Sequence, residues 1–141
     1  MTNDKLQKYI EHFEQKDRMG SLFKMKITEV NAQECLCEYT VQEAHFNPNG
    51  ILHGGALYTV MDSSQGAFIH LNLDPQFKYA ATGTATIKYL APVREGKVLI
   101  RTWFKEIQGR KHFVSSEAKN EKGDVLATLE EIWIATFKDK A

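Results

Sequence analysis

The sequence predicts an α+β fold: an antiparallel sheet of about six strands wrapped around one long central helix, with a short helix ahead of them. Three observations predict it. One long segment carries a continuous apolar stripe at helical spacing, strand-like stretches of period two flank it, and tight polar connections join the later strands.

Taken in order, residues 4 to 17 read as the short helix, because Leu6, Ile10 and Phe13 recur at helical spacing. Asp4 and Gln7 resemble a capping pair, and Gly20 lies just past the helix end. Phe23 to Thr28 alternates strictly and is expected to be a half-buried strand. A second strand from about Glu34 to Val41 places Cys35, Cys37, Tyr39 and Val41 on one face. Asn47-Pro48-Asn49-Gly50 is a loop by its chemistry. Leu57, Val60, Met61, Ser64, Ala67, Phe68 and Leu71 then make the stripe of a helix from about Gly54 to Asn72. Strands follow at about 79–90, 97–107, 112–119 and 125–137, with turns at Gln108-Gly109-Arg110 and Asn120-Glu121-Lys122-Gly123. Trp103, Trp133 and the alternating apolar residues of the last strands suggest that part of the outer face meets another subunit.

With 141 residues the chain fits one domain, 1–141. Lys plus Arg (18) balance Asp plus Glu (18), so the charge footprint of a nucleic-acid or anionic-membrane binder is missing. No stretch reaches the roughly 20 apolar residues that span a bilayer. Residues 1–18 are polar and charged with no secretory pattern, so a cytoplasmic location is expected. Cys35 and Cys37 are too few ligands for a structural zinc site and read as small half-buried residues of a reducing compartment. The five histidines show no recognisable metal spacing, and neither a metal nor a cofactor is expected.

The chemistry concentrates between Asn47 and Asp62. His53-Gly54-Gly55 opens the long helix, where first-turn N–H groups lack intrahelical partners and sit at the positive end of the helix dipole. Glycines there let another molecule approach the amides, which suits a carbonyl oxygen and, more so, the oxyanion formed on attack. The glycines alone are equally well explained as relief of crowding at the turn. Asp62 shifts the balance, being the only formal charge in residues 54–72. Its neighbours one turn away, Tyr58, Thr59, Gln65 and the flat Gly66, lie off the apolar stripe. A helix so poor in charge is expected to be covered on both sides, and a lone carboxylate there is a candidate base or nucleophile. The plainer alternative is an Asp bonded to Ser63 or Thr59. Gly54 and Asp62 stand about 12 Å apart along one helix, whereas a reacting carbonyl lies within about 3 Å of both its oxyanion donor and its attacking group. If both act, two antiparallel copies of the helix lie side by side, and the face bearing Gly66 suits that pairing.

The pattern N-x-x-G-x-L-H-G-G over Asn47 to Gly55, with Asp62 eight residues beyond Gly54, resembles the hotdog-fold acyl-CoA thioesterases of the phenylacetate-degradation (PaaI) type. The run Thr82 to Pro92 is similar to the same family's strand and following loop, and the resemblance spans about residues 20–138. It implies a hotdog fold, an acyl-CoA substrate, and a homodimer with shared active sites, usually paired into a homotetramer. It further implies that Asn47 orients water or substrate, His53 braces the loop, the Gly54 N–H polarises the thioester carbonyl and Asp62 of the partner activates water or attacks. A hydroxyl of the following strand assists, Thr82 matching best and Thr84 next. Gly55 is placed beside the substrate, and Arg94, Arg110 and Lys111 (with Lys97) are the turn cations available to the CoA phosphates. The rival reading is a non-catalytic acyl-CoA-binding regulatory module on the same fold. A hotdog dehydratase needs a different pairing of His and acid.

Overall fold

The computed structural model describes residues 2–139. Helix α1 (Asn3–Lys16) starts at Thr2, whose side chain accepts from the Lys5 N–H at 3.2 Å. Asp4 therefore does not pair with Gln7 as a cap. It already lies inside the first turn, where it forms an exposed ion pair with Lys8 at 3.5 Å. The chain does not pass directly to a strand: Asp17 caps a second short helix, α2 (Arg18–Leu22), by accepting from the Gly20 N–H. Lys24 then takes a left-handed φ of 56°. The expected strand from Phe23 is shortened accordingly to β1 (Lys26–Val30), and Phe23 packs on Tyr39 and His45 instead.

The remaining elements follow the sequence reading closely. They are β2 (Cys35–Thr40), a 3-10 turn at Glu43–His45, α3 (Gly54–Asn72), β3 (Phe77–Tyr89), β4 (Lys97–Gln108), β5 (Lys111–Lys119) and β6 (Val125–Phe137). One six-stranded antiparallel sheet results, in the order β1-β2-β4-β5-β6-β3. β4, β5 and β6 form the expected meander, while β3 crosses to the far side and pairs with β6 as an edge strand.

Side chains of alternate positions meet α3. Cys35, Cys37 and Tyr39 on β2, Val98 and Ile100 on β4, Val114 and Ala118 on β5, and Leu129, Trp133 and Ala135 on β6 are buried with Val60, Met61 and Phe68. Gln65 fastens helix to sheet. Its amide donates to Ser116 Oγ at 3.0 Å and to the Val114 and Leu129 carbonyls, and its carbonyl accepts from Trp133 Nε1 at 2.9 Å. On the other side of α3, α1 lies across it and the Tyr9 hydroxyl donates to the Ala67 carbonyl.

Two expectations are corrected by this packing. Trp133 belongs to the face under α3 and is buried, because its strand position is in phase with Leu129 and Ala135. Gly66 does not present a flat face to a second helix: a Cβ there would meet Trp133 at 3.4 Å and Phe13 at 3.6 Å. The uncharged side of α3 is thus covered in part by α1 of the same chain.

Candidate active site

The loop before α3 is pinned residue by residue. Phe46 and Leu52 form an antiparallel bridge, and Gly50 turns the chain between them at a φ of 75°. The Asn47 side-chain carbonyl accepts from the Asn49 N–H at 2.9 Å and from that of Ile51 at 3.4 Å. Further down, the Leu52 N–H donates to the Val93 carbonyl and the His53 N–H to the His45 carbonyl. His45 is itself held by Tyr39, 2.6 Å from its Nδ1. His53 is the N-cap of α3, its Nδ1 accepting from the Gly55 N–H at 2.8 Å. That bond occupies the Gly55 amide. The Gly54 N–H has no partner among the described residues.

A side chain at Gly54 would press on Tyr89. The Tyr89 ring lies over it, its hydroxyl donating to the Gly54 carbonyl at 2.7 Å, and a Cβ would sit 3.1 Å from that ring. A cleft of about 320 Å³ opens here between Asn47, Gly54, Leu57, Tyr89 and the apolar stretch 90–93. An adjoining cleft of about 410 Å³ shares Pro92 and Val93 with it and is edged by Arg94, Lys97 and Lys122. Lys97 is already paired with Glu38 at 3.6 Å.

Asp62 opens into a different cleft, of about 250 Å³, walled by Phe13, Lys16, Gly66, His70 and Trp133. The Thr82 hydroxyl donates to Asp62 Oδ1 at 3.1 Å. Of the alternatives for Asp62, bonds to Ser63 or Thr59 are not the ones made: its partner is the Thr82 hydroxyl, and the Thr59 hydroxyl donates to the Gly55 carbonyl. Thr84 does not join them. An irregularity between Thr82 and Thr84 shifts the register, so Thr84 pairs with Ile132 on the outer face of the sheet. Arg110 and Lys111 lie at the opposite end from Gly54. Lys111 pairs with Ile134 and Tyr89 with Ala127, seven residues apart on β6, roughly 23 Å. Arg110 is occupied locally, its Nε donating to the Ala135 carbonyl at 2.8 Å.

Glu131 is the group that sequence reasoning missed. It is 2% exposed, on the β6 row that faces α3, and its Oε2 accepts from the Tyr58 hydroxyl at 2.7 Å. Burial, together with the Asp62 carboxyl beside it, pushes its pKa up to about 8. Burial and the bond to Glu131 likewise push the Tyr58 hydroxyl up. A signal was available: Glu131 is in phase with Leu129 and Trp133, so it falls among core positions of an alternating strand. Among the described residues no cluster of His, Cys, Asp and Glu is placed to hold a metal ion, and no helix is long and apolar enough to cross a membrane.

The chain belongs to the thioesterase superfamily, whose family model matches residues 49–127, a stretch that contains Gly54, Asp62 and Thr82 but not Asn47. A Caenorhabditis elegans protein named as an esterase is 34% identical over 71 residues. That match takes up 50% of this chain and 41% of the relative, so the chain spans under half the length of the curated relative it matches. Among solved structures, a Pseudomonas aeruginosa thioesterase superposes with a TM-score of 0.84 at 18% identity, covering 92% of this chain and 94% of its own. A Streptococcus mutans protein crystallised with acetyl-CoA superposes with a TM-score of 0.75 at 19% identity, over 83% of this chain and 92% of its own. At such identities these likenesses establish the fold, which is the hotdog fold.

Proposed function

We propose that the protein is an acyl-CoA thioesterase that hydrolyses an aromatic or short- to medium-chain acyl-CoA to the free acid and CoA, and that its site is completed by a second copy of the chain. The observation that carries this reading is the unpartnered N–H of Gly54 at the mouth of α3, a residue that lines a cleft the chain's own Asp62 does not share.

In this reading the thioester carbonyl oxygen accepts from the Gly54 N–H, at the positive end of α3. Asp62 of the second copy removes a proton from water as the water attacks the carbonyl carbon. The tetrahedral oxyanion is held by the same N–H and dipole, and its collapse breaks the C–S bond, the proton leaving with the CoA thiolate. If Asp62 attacks that carbon itself, collapse expels the thiolate and leaves an acyl–Asp62 anhydride. Water then cleaves the anhydride to the free acid, its two protons going to the thiolate and the released acid and Asp62 being regenerated. Thr82 keeps Asp62 in place, Asn47 shapes the entry loop beside the substrate, and His53 holds that loop as the helix cap. Arg94 stands beside the reacting cleft and is the cation best placed for a CoA phosphate. Arg110 and Lys111 reach a substrate at Gly54 only from another subunit.

The dimer is supported by β3, a 13-residue edge strand with exposed side chains along most of its length and Lys78 and Lys88 as its only charges. A bare edge of that length is a template for pairing with a second copy. Partly exposed Trp103, Phe113, Ile132 and Ile134 on the outer face support a further pairing into a tetramer. Free, buried Cys35 and Cys37 support a cytoplasmic setting, and residues 1–141 are read as one domain. The test is a kinetic screen of benzoyl-, phenylacetyl- and aliphatic acyl-CoAs, with free thiol as the readout. Asp62→Asn is expected to lower kcat by about 10²- to 10⁴-fold with fold and oligomer retained. Undiminished hydrolysis by that variant sinks the role of Asp62.

A further inference from the structure

Three elements converge on one pair of carboxyl groups. α3 supplies Tyr58 and, one turn later, Asp62; β3 supplies Thr82; β6 supplies Glu131. Each carboxyl is engaged on one oxygen: Thr82 donates to Asp62 Oδ1, and Tyr58 donates to Glu131 Oε2 at 2.7 Å. Glu131 Oε1 is buried with no hydrogen-bond partner. A buried carboxylate oxygen left bare is costly, since it loses its water and gains no donor. Among the described residues no ion pair reaches Glu131 or Asp62, so no cation neutralises either group. Directly across Glu131 stand Ala85 on β3 and Val114 on β5, neither of which can donate from its side chain. The Trp133 N–H, near enough to favour the ionised Glu131 slightly, is given to the Gln65 carbonyl at 2.9 Å. The titratable groups that face Glu131 are Tyr58 and Asp62, with Tyr89 beyond Tyr58. Glu130 and Lys105, paired at 3.9 Å, lie on the other side of the sheet.

We propose that Glu131 is the positioning residue for Asp62: it stands protonated and donates its carboxylic proton from Oε1 to the Asp62 carboxylate. The pair then carries one proton and one negative charge. The orphaned oxygen becomes a donor, which removes the penalty of its burial, and Asp62 is gripped from both sides, by Thr82 and by Glu131. The raised Glu131 pKa, about 8, agrees with this arrangement, its largest cause being burial and its next the neighbouring Asp62. Glu131 keeps its proton through turnover; the proton removed from water passes to the thiolate by way of Asp62. Once Glu131 ionises, its grip is lost and a second negative charge stands near the developing oxyanion, so turnover falls. That kinetic consequence rests on the thioesterase reading, whereas the sharing of the proton does not.

Infrared difference spectroscopy on the full chain without substrate tests the protonation state. The C=O stretch of a protonated carboxyl group is expected at neutral pH, fading as pH passes about 8, and absent in Glu131→Gln. In Asp62→Asn it is expected to fade at lower pH, because the neighbouring charge is gone. Absence of the band from the wild type at neutral pH, or its persistence in Glu131→Gln, overturns the proposal. Steady-state kinetics with a hydrolysed acyl-CoA then tests the positioning role. Wild-type kcat is expected to fall about tenfold per pH unit above that range. Glu131→Gln still offers Asp62 a neutral N–H donor, so it is expected to lose about fivefold in kcat at neutral pH with KM unchanged, and to lose the alkaline limb. An alkaline limb that survives in Glu131→Gln overturns the positioning role. If no acyl-CoA is hydrolysed, the thioesterase reading falls, and the infrared band still decides whether the proton is shared.

Discussion

Glu131 carries a thermodynamic consequence that is independent of any substrate. Its pKa in the folded chain, about 8, lies above the ordinary carboxyl value of 4.5. Between those two values the folded protein holds a proton that the unfolded chain has already released. Stability contributed at this site is therefore full below the lower value and declines as pH rises toward the upper one. A group that cannot ionise escapes the decline. Glu131→Gln is expected to melt above the wild type at alkaline pH, by roughly 5 °C or more, with the difference shrinking in mild acid. Thermal melts across pH check it, and a wild-type curve that stays level to alkaline pH counts against the buried acid. His53 works differently at the same scale. Its ring nitrogen accepts from the Gly55 N–H, which leaves the Gly54 N–H as the free amide of the first turn. The same side chain that starts the helix thus decides which of the two first amides stays free.

Among the elements, α3 was the most legible. Its stripe from Leu57 to Leu71 and its near absence of charge can be read directly, and its observed limits, Gly54–Asn72, match the expected ones. The strands after it were legible through alternation and turn residues, whereas the Thr82–Asp62 bond was not, the resemblance naming Thr82 only as an assisting hydroxyl. The order of strands was not, because pairing β3 with β6 is a long-range choice that no local pattern encodes. Nor was the fate of Gly66 and Trp133. A flat, uncharged helix face looks the same in a sequence whether it meets α1 or another subunit. The grip of Gln65 was equally hidden, since an isolated polar residue in an apolar helix announces neither its depth nor its partners. Gln65 is fully buried and holds Trp133, Ser116 and two strand carbonyls at once. Gln65→Leu keeps the volume but strands the Trp133 N–H. The expected loss is about 3 kcal/mol, read from denaturant midpoints at unchanged slope. A loss under about 1 kcal/mol would mean that the network tolerates an apolar substitute.

At the level of the whole molecule, the two halves of the site lie in separate clefts of one chain, Gly54 in one and Asp62 in the other. The free edge of β3 runs alongside both, since Thr82 touches Asp62 and Tyr89 touches Gly54. In the proposed dimer, two chains paired edge to edge along β3 in antiparallel sense would bring Gly54 of each toward Asp62 of the other, so that each dimer would hold two sites and each site would draw on both chains. This arrangement makes inactive chains complementary. Asp62→Asn removes the attacking half, and Gly54→Val fills the cleft beneath Tyr89, where even a Cβ sits 3.1 Å from the ring. In a mixed dimer one site collects both lesions and the other collects neither. With equal amounts and random exchange, half of the dimers are mixed and one of their two sites is intact, so about a quarter of wild-type activity is expected to return. Unfolding and refolding the two variants together, then measuring thiol release, provides the check. Variants refolded separately and then combined serve as the control, and recovery should grow only as subunits exchange. If the mixture stays as inactive as its parts while size measurements show mixed dimers, Gly54 and Asp62 serve the same chain's site and the shared-site reading is wrong.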